Sequence, residues 1–151
     1  MVATSYYALS SVFPMLDRII PYLPQSEGWL GYWQLLVATT AVFNSLQNFL
    51  TLKLTKRIYD KTAVVTPLQA RTFAVWTLTS AVVRFYAAYN INNKALYDMA
   101  LFTYLIAFGH FSSELLIFKS AKINAGVLSP CIVSTTSLIW MFQQYEYYVR
   151  S

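Results

Sequence analysis

The amino-acid sequence predicts an all-α membrane protein: a bundle of four transmembrane helices behind a short N-terminal interfacial segment. Composition supports this, because apolar residue types make up 57% of the 151 residues and charged types only 11%. Soluble domains carry roughly 25% charged residues, so this chain has too few charges to cover a surface that faces water. Four long apolar stretches agree, since each approaches the ~20 residues that a helix needs to cross the hydrocarbon layer.

The four predicted spans, numbered one to four, cover about residues 29–52, 71–89, 96–118 and 125–142. They lie in a transmembrane domain of residues 29–148, which a tail of residues 149–151 follows. Backbone N–H and C=O groups find no water at membrane depth. Each span is therefore expected to be a helix, which satisfies these groups internally.

Residues 1–28 form the predicted interfacial segment. Three prolines interrupt it, at Pro14, Pro21 and Pro24. No basic start precedes its apolar part, as a signal peptide would require. Its apolar side chains recur at helical spacing, at Leu9, Val12, Phe13 and Leu16. An amphipathic segment too interrupted to span is expected to lie along the membrane surface.

Span one carries a stripe of polar side chains on one helical face. The stripe consists of Thr40, Asn44, Gln47, Asn48 and Thr51. Lipid offers no hydrogen-bond partner to two asparagines and a glutamine, so the stripe is expected to face protein. That protein is either another helix of this chain or a docked membrane protein. The second alternative makes Asn44, Gln47 and Asn48 candidate docking residues.

The basic residues Lys53, Lys56 and Arg57 directly follow span one. Positive charge beside a span anchors its orientation and attracts anionic lipid headgroups. The same three side chains are also candidate docking residues for partner proteins.

Five ionisable residues fall inside spans two and three: Arg71, Arg84, Asp98, His110 and Glu114. Charges inside a membrane are costly and usually paired, so these residues are candidates for an intramembrane polar network. We place the turn between the two spans near Ile91. Two residues that are equally far from this turn along the sequence, one in each span, then lie at the same depth in the membrane. This geometry predicts Arg84 near Asp98, and Arg71 near Glu114.

No cofactor, metal or catalytic residue is expected. His110 and Glu114 share a helical face at i and i+4, but a stable metal site needs three or four ligands. The chain has a single histidine, and its four glycines form no phosphate-binding loop. A structural ion pair, a hydrogen bond and an acid–base pair acting on a lipid remain open for His110 and Glu114.

Four blocks of the sequence point to a known family. They are FNSLQNFLTLKLTKRIY (43–59), ARTFAVWTLTSAVVRFYAAY (70–89), FGHFSSELLIFKSAK (108–122) and SPCIVSTTSLIWMFQQYEYY (129–148). In this order they closely resemble the ergosterol biosynthetic protein 28 family, over about residues 29–148. Because the blocks cover all four spans, the resemblance is more specific than any short motif in the chain.

The resemblance implies a non-catalytic scaffold in the endoplasmic reticulum membrane. The partners it implies are the enzymes of sterol C-4 demethylation: a sterol C-4 methyl oxidase, a decarboxylating sterol C-3 dehydrogenase and a 3-keto-sterol reductase. A sterol C-24 methyltransferase is a further implied associate. The family has no established catalytic residues, so the resemblance assigns none here.

Two alternatives to a scaffold remain. The first is an intramembrane sterol-binding protein or isomerase that uses His110 and Glu114. The second is a proton-coupled transporter, which four short spans without repeat symmetry disfavour.

Lysine and arginine counts predict the orientation of the chain. The first loop (53–70) and the third loop (119–124) together hold six basic residues: Lys53, Lys56, Arg57, Lys61, Lys119 and Lys122. The opposite side holds three: Arg18, Lys94 and Arg150. The positive-inside rule therefore places the first and third loops in the cytosol and both termini in the lumen.

Single-cysteine labelling tests this orientation. In a Cys131→Ala background, Ala63→Cys in the first loop should react with a membrane-impermeant maleimide on sealed microsomes. Asn92→Cys, between spans two and three, should react only after permeabilisation. Labelling of Ala63→Cys only after permeabilisation would reverse the assignment.

Overall fold

The computed structural model describes residues 16–149, and its regular structure within that range is helical. In chain order the helices are α1 (Leu16–Ile19), a 3-10 turn (Ile20–Tyr22), α2 (Leu30–Leu50), α3 (Lys53–Ile58), α4 (Pro67–Tyr89), α5 (Lys94–Leu116), α6 (Ala125–Gln143) and α7 (Tyr145–Val149). Of the predicted interfacial helix, Leu9, Val12 and Phe13 lie outside the described residues.

The four long helices coincide with the four predicted stretches to within four residues at each end. The largest difference is the start of α4, at Pro67. The Thr66 hydroxyl accepts a hydrogen bond from the backbone N–H of Gln69, and the Gln69 side chain accepts one from the Thr66 backbone N–H. This capping box, with a proline at the first helical position, starts the helix one turn before the apolar pattern does.

Two of the described helices, α5 and α6, are long and apolar enough to cross a membrane, with mean hydropathies of 1.3 and 1.5. Helix α2 has 21 residues and α4 has 23, but neither reaches that hydropathy. Polar side chains lower the value for α2, and Arg71 and Arg84 lower it for α4. Length and composition thus assign two spans, where the sequence analysis predicted four.

The bundle is built from two closely packed pairs, α2 with α4 and α5 with α6, and less extensive contact between α4 and α5 joins them. The interface of α2 with α4 is made of small residues. A Cβ atom added at Gly31 would lie 3.0 Å from the backbone oxygen of Ala88, so the two backbones approach closely there. The other small buried residues include Ala38 and Ala41 on α2 and Ala74 and Ala81 on α4. Such residues let helices pack without large side chains between them.

Large apolar side chains cover the outer faces of all four long helices. Exposed examples are Leu36, Phe43 and Leu46 on α2, Val75 and Val82 on α4, Phe102 and Ile106 on α5, and Ile132, Ile139 and Phe142 on α6. Soluble monomers rarely expose apolar patches this extensive. The outer surface therefore suits contact with lipid.

The first and third loops bind each other at one end of the bundle. The Asp60 carboxylate accepts hydrogen bonds from the backbone N–H of Lys122 (2.8 Å) and from the Asn124 side-chain amide (3.2 Å). Asn124 also donates to the backbone oxygen of Arg57, and its own side-chain oxygen caps the start of α6. These contacts hold α3, which the sequence analysis did not predict, against the base of α6.

Candidate functional site

A buried polar cluster connects the two helix pairs. The Tyr104 hydroxyl on α5 donates a hydrogen bond of 2.7 Å to the side-chain oxygen of Gln34 on α2, and both side chains are 0% exposed. The Gln34 amide nitrogen lies 3.2 Å from the sulfur of Met141 on α6. Three helices thus meet at one glutamine, whose polar atoms would be costly to bury without partners.

Two more hydrogen bonds connect α2 and α5 to α6. The Trp33 indole N–H donates to the Ser137 hydroxyl at 2.8 Å, and the Tyr97 hydroxyl donates to the backbone oxygen of Met141 at 2.7 Å. Each bond joins a different helix to α6. The cluster therefore fixes how α2, α5 and α6 are placed relative to one another.

Arg84 does not pair with Asp98, and this corrects the sequence prediction. Its Nε atom donates to the Thr103 hydroxyl oxygen at 3.0 Å, and its Nη2 atom donates to the Thr103 backbone oxygen at 3.4 Å. The guanidinium carbon lies 4.0 Å from the centre of the Tyr104 ring. Arg84 points into the bundle because its own helix packs there, whereas Asp98 lies near the start of α5.

Asp98 binds partners at the end of the bundle instead. Its carboxylate lies 2.5 Å from the Lys94 ammonium and accepts a hydrogen bond of 2.8 Å from the Tyr145 hydroxyl. Lys94 is one helical turn earlier, so this local pair forms without any contribution from α4.

The predicted pairing of Arg71 with Glu114 is also wrong. Arg71 is exposed near the start of α4, and the ion pairs among residues 16–149 do not include it. Glu114 accepts a hydrogen bond from the Ser120 hydroxyl and lies 4.0 Å from Nδ1 of His110. His110 and Glu114 therefore lie together, whereas Arg84 and Asp98 each bind other partners.

His110 is held by aromatic residues at the first-loop end of the bundle. Its Nε2 atom lies 2.6 Å from the Tyr59 hydroxyl, and the ring packs edge-on against Trp76 with centroids 5.1 Å apart. Burial raises the pKa of the Tyr59 hydroxyl above its usual range, and the negative charge of Glu114 adds to this. Tyr59 thus stays protonated and can donate its hydrogen bond to His110.

These residues border a cavity of about 520 Å³, which we call the first-loop cavity. His110, Glu114 and Ser120 supply polar groups, and Val65, Leu68, Phe73 and Trp76 supply apolar walls. Pockets for small molecules have volumes of roughly 300–1,000 Å³ and a similar mixture of walls. The cavity is therefore large enough for a compact lipid.

A second cavity, which we call the central cavity, has a volume of about 470 Å³. Its lining includes residues from each of the helices α2, α3, α4, α5 and α6. Trp33, Arg84 and Tyr104 border one part of it, and Arg57 and Ala125 border another. Phe73 and Trp76 line both cavities. These two rings therefore form part of the wall between them.

The stripe on span one is divided between the core and the surface. Asn48 is 1% exposed, its side-chain oxygen accepts from the Thr55 hydroxyl at 2.6 Å, and its amide donates to the Asn44 backbone oxygen. Both ends of this side chain bind within the chain, which at Asn48 agrees with the first alternative for the stripe, contact with other parts of this chain. Asn44 and Gln47 are half-buried, while the side chains of Lys53, Lys56 and Arg57 are exposed.

Gln34 and Tyr104 are fully buried, and neither was among the predicted site residues. A signal for Gln34 existed: Gln34, Ala38, Ala41, Ser45 and Asn48 recur at alternating intervals of four and three residues along span one. This is the spacing of a buried helix face. The polar stripe overlaps this face at Asn48 and carries more amide side chains than the face does.

The helical bundle and its exposed apolar surface define an all-α protein. Two of its described helices are suited to crossing a membrane, and a polar cluster lies at its centre. The chain belongs to the Erg28 family, because the model of that family, described as Erg28 like protein, matches residues 30–139. The matched region begins with α2 and extends through most of α6, so it contains both cavities and, except for Met141, the residues of the central cluster.

Curated relatives agree with this assignment. The chain is 45% identical to ergosterol biosynthetic protein 28 of Candida albicans over 135 residues, which cover 89% of this chain and 96% of the relative. It is 40% identical to ergosterol biosynthetic protein 28 of Saccharomyces cerevisiae over 144 residues, covering 94% and 96%. The human ergosterol biosynthetic protein 28 homolog is 41% identical over 120 residues, covering 78% and 86%. No solved structure matches the chain.

Tyr104→Phe tests the importance of the central hydrogen bond. The substitution keeps the ring beside Arg84 but leaves the Gln34 side-chain oxygen without its donor. It should lower the free energy of unfolding by about 1–2 kcal/mol, measured by thermal or denaturant unfolding in mild detergent. Tyr86→Phe removes a hydroxyl from an exposed tyrosine on α4 and should change stability by less than about 0.5 kcal/mol. Equal effects from both variants would contradict the proposed role of Gln34.

Proposed function

We propose that this protein is a non-catalytic scaffold of the endoplasmic reticulum membrane that tethers the enzymes of sterol C-4 demethylation. The observation that carries the proposal is family membership, with 40–45% identity to two fungal proteins named for ergosterol biosynthesis over most of the chain. The tethered enzymes would be the sterol C-4 methyl oxidase, the decarboxylating sterol C-3 dehydrogenase and the 3-keto-sterol reductase. A sterol C-24 methyltransferase is proposed as a further associate.

A topology of four spans forms part of this proposal. Helices α2 and α4, like α5 and α6, expose large apolar side chains, and the four helices are similar in length. The polar residues that lower the hydropathy of α2 and α4 include Gln34, Ser45, Asn48 and Arg84, which are buried. A lipid-facing surface on all four helices favours four spans.

The exposed side of α3, at the first-loop end of the bundle, is the proposed docking surface. Lys53, Lys56 and Arg57 are exposed on α3, and the contacts of Asn124 and Asp60 hold α3 in place. Half-buried Asn44 and Gln47 lie on the adjoining part of α2. A rigid basic surface beside the membrane suits acidic segments of partner enzymes. Binding several enzymes there would raise their effective concentration for one another.

Charge removal on α3 tests the docking surface. A variant with Lys53→Gln, Lys56→Gln and Arg57→Gln should keep wild-type abundance. It should recover roughly tenfold less of the three enzymes after purification in mild detergent, because exposed ion pairs contribute about 0.2–1 kcal/mol each. Quantitative mass spectrometry of the purified complex measures the recovery.

The matched control removes three other exposed charges, with Lys61→Gln, Lys119→Gln and Lys122→Gln. This control should retain its partners. If the α3 variant retains them as well, α3 is not the docking surface. If wild-type protein recovers no enzyme of sterol demethylation, the scaffold proposal itself is wrong.

The first-loop cavity supports a second candidate function, an intramembrane sterol-binding protein or isomerase. His110 and Glu114 border a cavity with apolar walls and a volume of about 520 Å³, which suits an uncharged sterol with its polar end at these residues. An isomerase would need one side chain that gives a proton to the substrate and one that removes a proton from it. The His110 and Glu114 side chains could fill these two roles.

His110→Ala separates the two candidates. If the protein is a scaffold, any defect should follow abundance or partner recovery, and purified wild-type protein should isomerise no sterol. If it binds sterol here, crosslinking by a photoreactive ergosterol should fall severalfold in His110→Ala. Gly109→Ala is the control, because a Cβ atom at Gly109 meets nothing within 4 Å. Equal crosslinking of wild type and His110→Ala would exclude the sterol-binding candidate.

A further inference from the structure

Arg84 is a buried cation with few partners. Its side chain is 7% exposed, and its hydrogen bonds go from Nε and Nη2 to a single residue, Thr103. The Thr103 hydroxyl donates its own hydrogen to the backbone oxygen of Ala100, which leaves the oxygen free to accept from Nε. Within residues 16–149, the third guanidinium nitrogen, Nη1, has no hydrogen-bond partner.

No carboxylate of the described residues balances this charge. The ion pairs within residues 16–149 are Lys94 with Asp98 and His110 with Glu114, and neither includes Arg84. The ring of Tyr104 offers a cation–π contact, which compensates only part of the cost of burying a charge. Arg84 lies five residues before the end of α4, or about 7–8 Å along the axis, yet its guanidinium turns inward to Thr103 and Tyr104.

The uncompensated guanidinium borders the central cavity. This cavity extends along α2 from Trp33 to Asn44, eleven residues apart, or roughly 17 Å along the helix axis. Rings of Trp76, Tyr104 and Phe111 form much of its walls, and its volume is about 470 Å³. It therefore combines a long, largely apolar space with the buried charge of Arg84 near one end.

We propose that the central cavity binds an apolar molecule that carries a single carboxylate, with Arg84 as the residue that pairs with that carboxylate. The planar guanidinium matches the two oxygens of a carboxylate, and it has unused N–H donors for both. A phosphate monoester, with its higher charge, would call for a second cation. The other arginine that lines the cavity, Arg57, borders the part nearest the first loop.

The identity of this molecule as a sterol rests on the proposed function. An oxidase that acts on a sterol methyl group and an enzyme that removes the same carbon as CO₂ must be linked by a carboxylic acid, since CO₂ is lost from that oxidation level. The oxidation supplies the sterol carboxylate and the decarboxylation consumes it. A cavity for this acid would hold the intermediate between two tethered enzymes. A long-chain fatty acid has the same chemistry and is the other source.

Equilibrium binding to the full chain in nanodiscs of neutral phosphatidylcholine tests the proposal. The probes are a tritiated sterol 4-carboxylic acid, its uncharged methyl ester and tritiated oleic acid. Wild-type protein should bind the sterol acid at least about tenfold more tightly than the ester, because a charge-assisted hydrogen bond is lost in the ester. Arg84→Gln should abolish this preference. Arg71→Gln, which removes the exposed arginine of the same helix, should retain it.

A second variant keeps the test decisive if Arg84→Gln unfolds. Ala107→Phe fills the cavity while Arg84 remains, so it should weaken binding of the acid and the ester alike. Unchanged acid binding in Ala107→Phe, or equal binding of acid and ester by wild type, would overturn the proposal. Arg84-dependent binding of oleic acid alone would support the carboxylate site and reject the sterol. These results do not depend on enzyme recovery, so failure of the scaffold proposal is recognised separately.

Discussion

The hydrogen bond from the Tyr104 hydroxyl to the Gln34 side chain joins the two pairs of helices at a fully buried point. Backbones approach closely mainly within each pair, and the contacts of α2 with α5 and α6 are made by side chains. A buried amide is costly unless its polar atoms find partners, so this hydrogen bond restricts how the two pairs can pack. Gln34 therefore sets the relative depth of the two pairs, and the central cavity is the space that this arrangement leaves between them.

The position of Arg84 follows from the same contact. Once Tyr104 is held by Gln34, its ring lies beside the guanidinium, 4.0 Å from the guanidinium carbon, and Thr103 on the same helix accepts the Nε–H. The arginine is thus kept inside the bundle by neutral groups. A protein that needed only a stable bundle could place an apolar residue here at lower cost. The buried charge of Arg84 is therefore the feature that favours an anionic ligand in the central cavity.

The two ends of the bundle differ in character. At the end where α4 meets α5, Asp98 is occupied by Lys94 and Tyr145. At the first-loop end, exposed basic side chains of α3 lie beside a cavity bordered by His110 and Glu114. Binding of partners and binding of lipid would therefore occur close together. The central cavity, whose lining includes Arg57 of α3, extends to the same end.

The sequence by itself determined the helical class, the positions of the long helices and the family, because apolar stretches and contiguous blocks are local properties of the chain. The tertiary structure decided which polar side chains meet. Arg84 was predicted beside Asp98 because the two residues are equally far from the turn between their helices. That distance gives the depth of a residue but not the direction in which its side chain points around the helix axis. Packing of small residues between α2 and α4 fixes the rotation of α4 around its axis, and it turns Arg84 inward toward Tyr104. Pairing across a bundle depends on this rotation, which no single helix encodes.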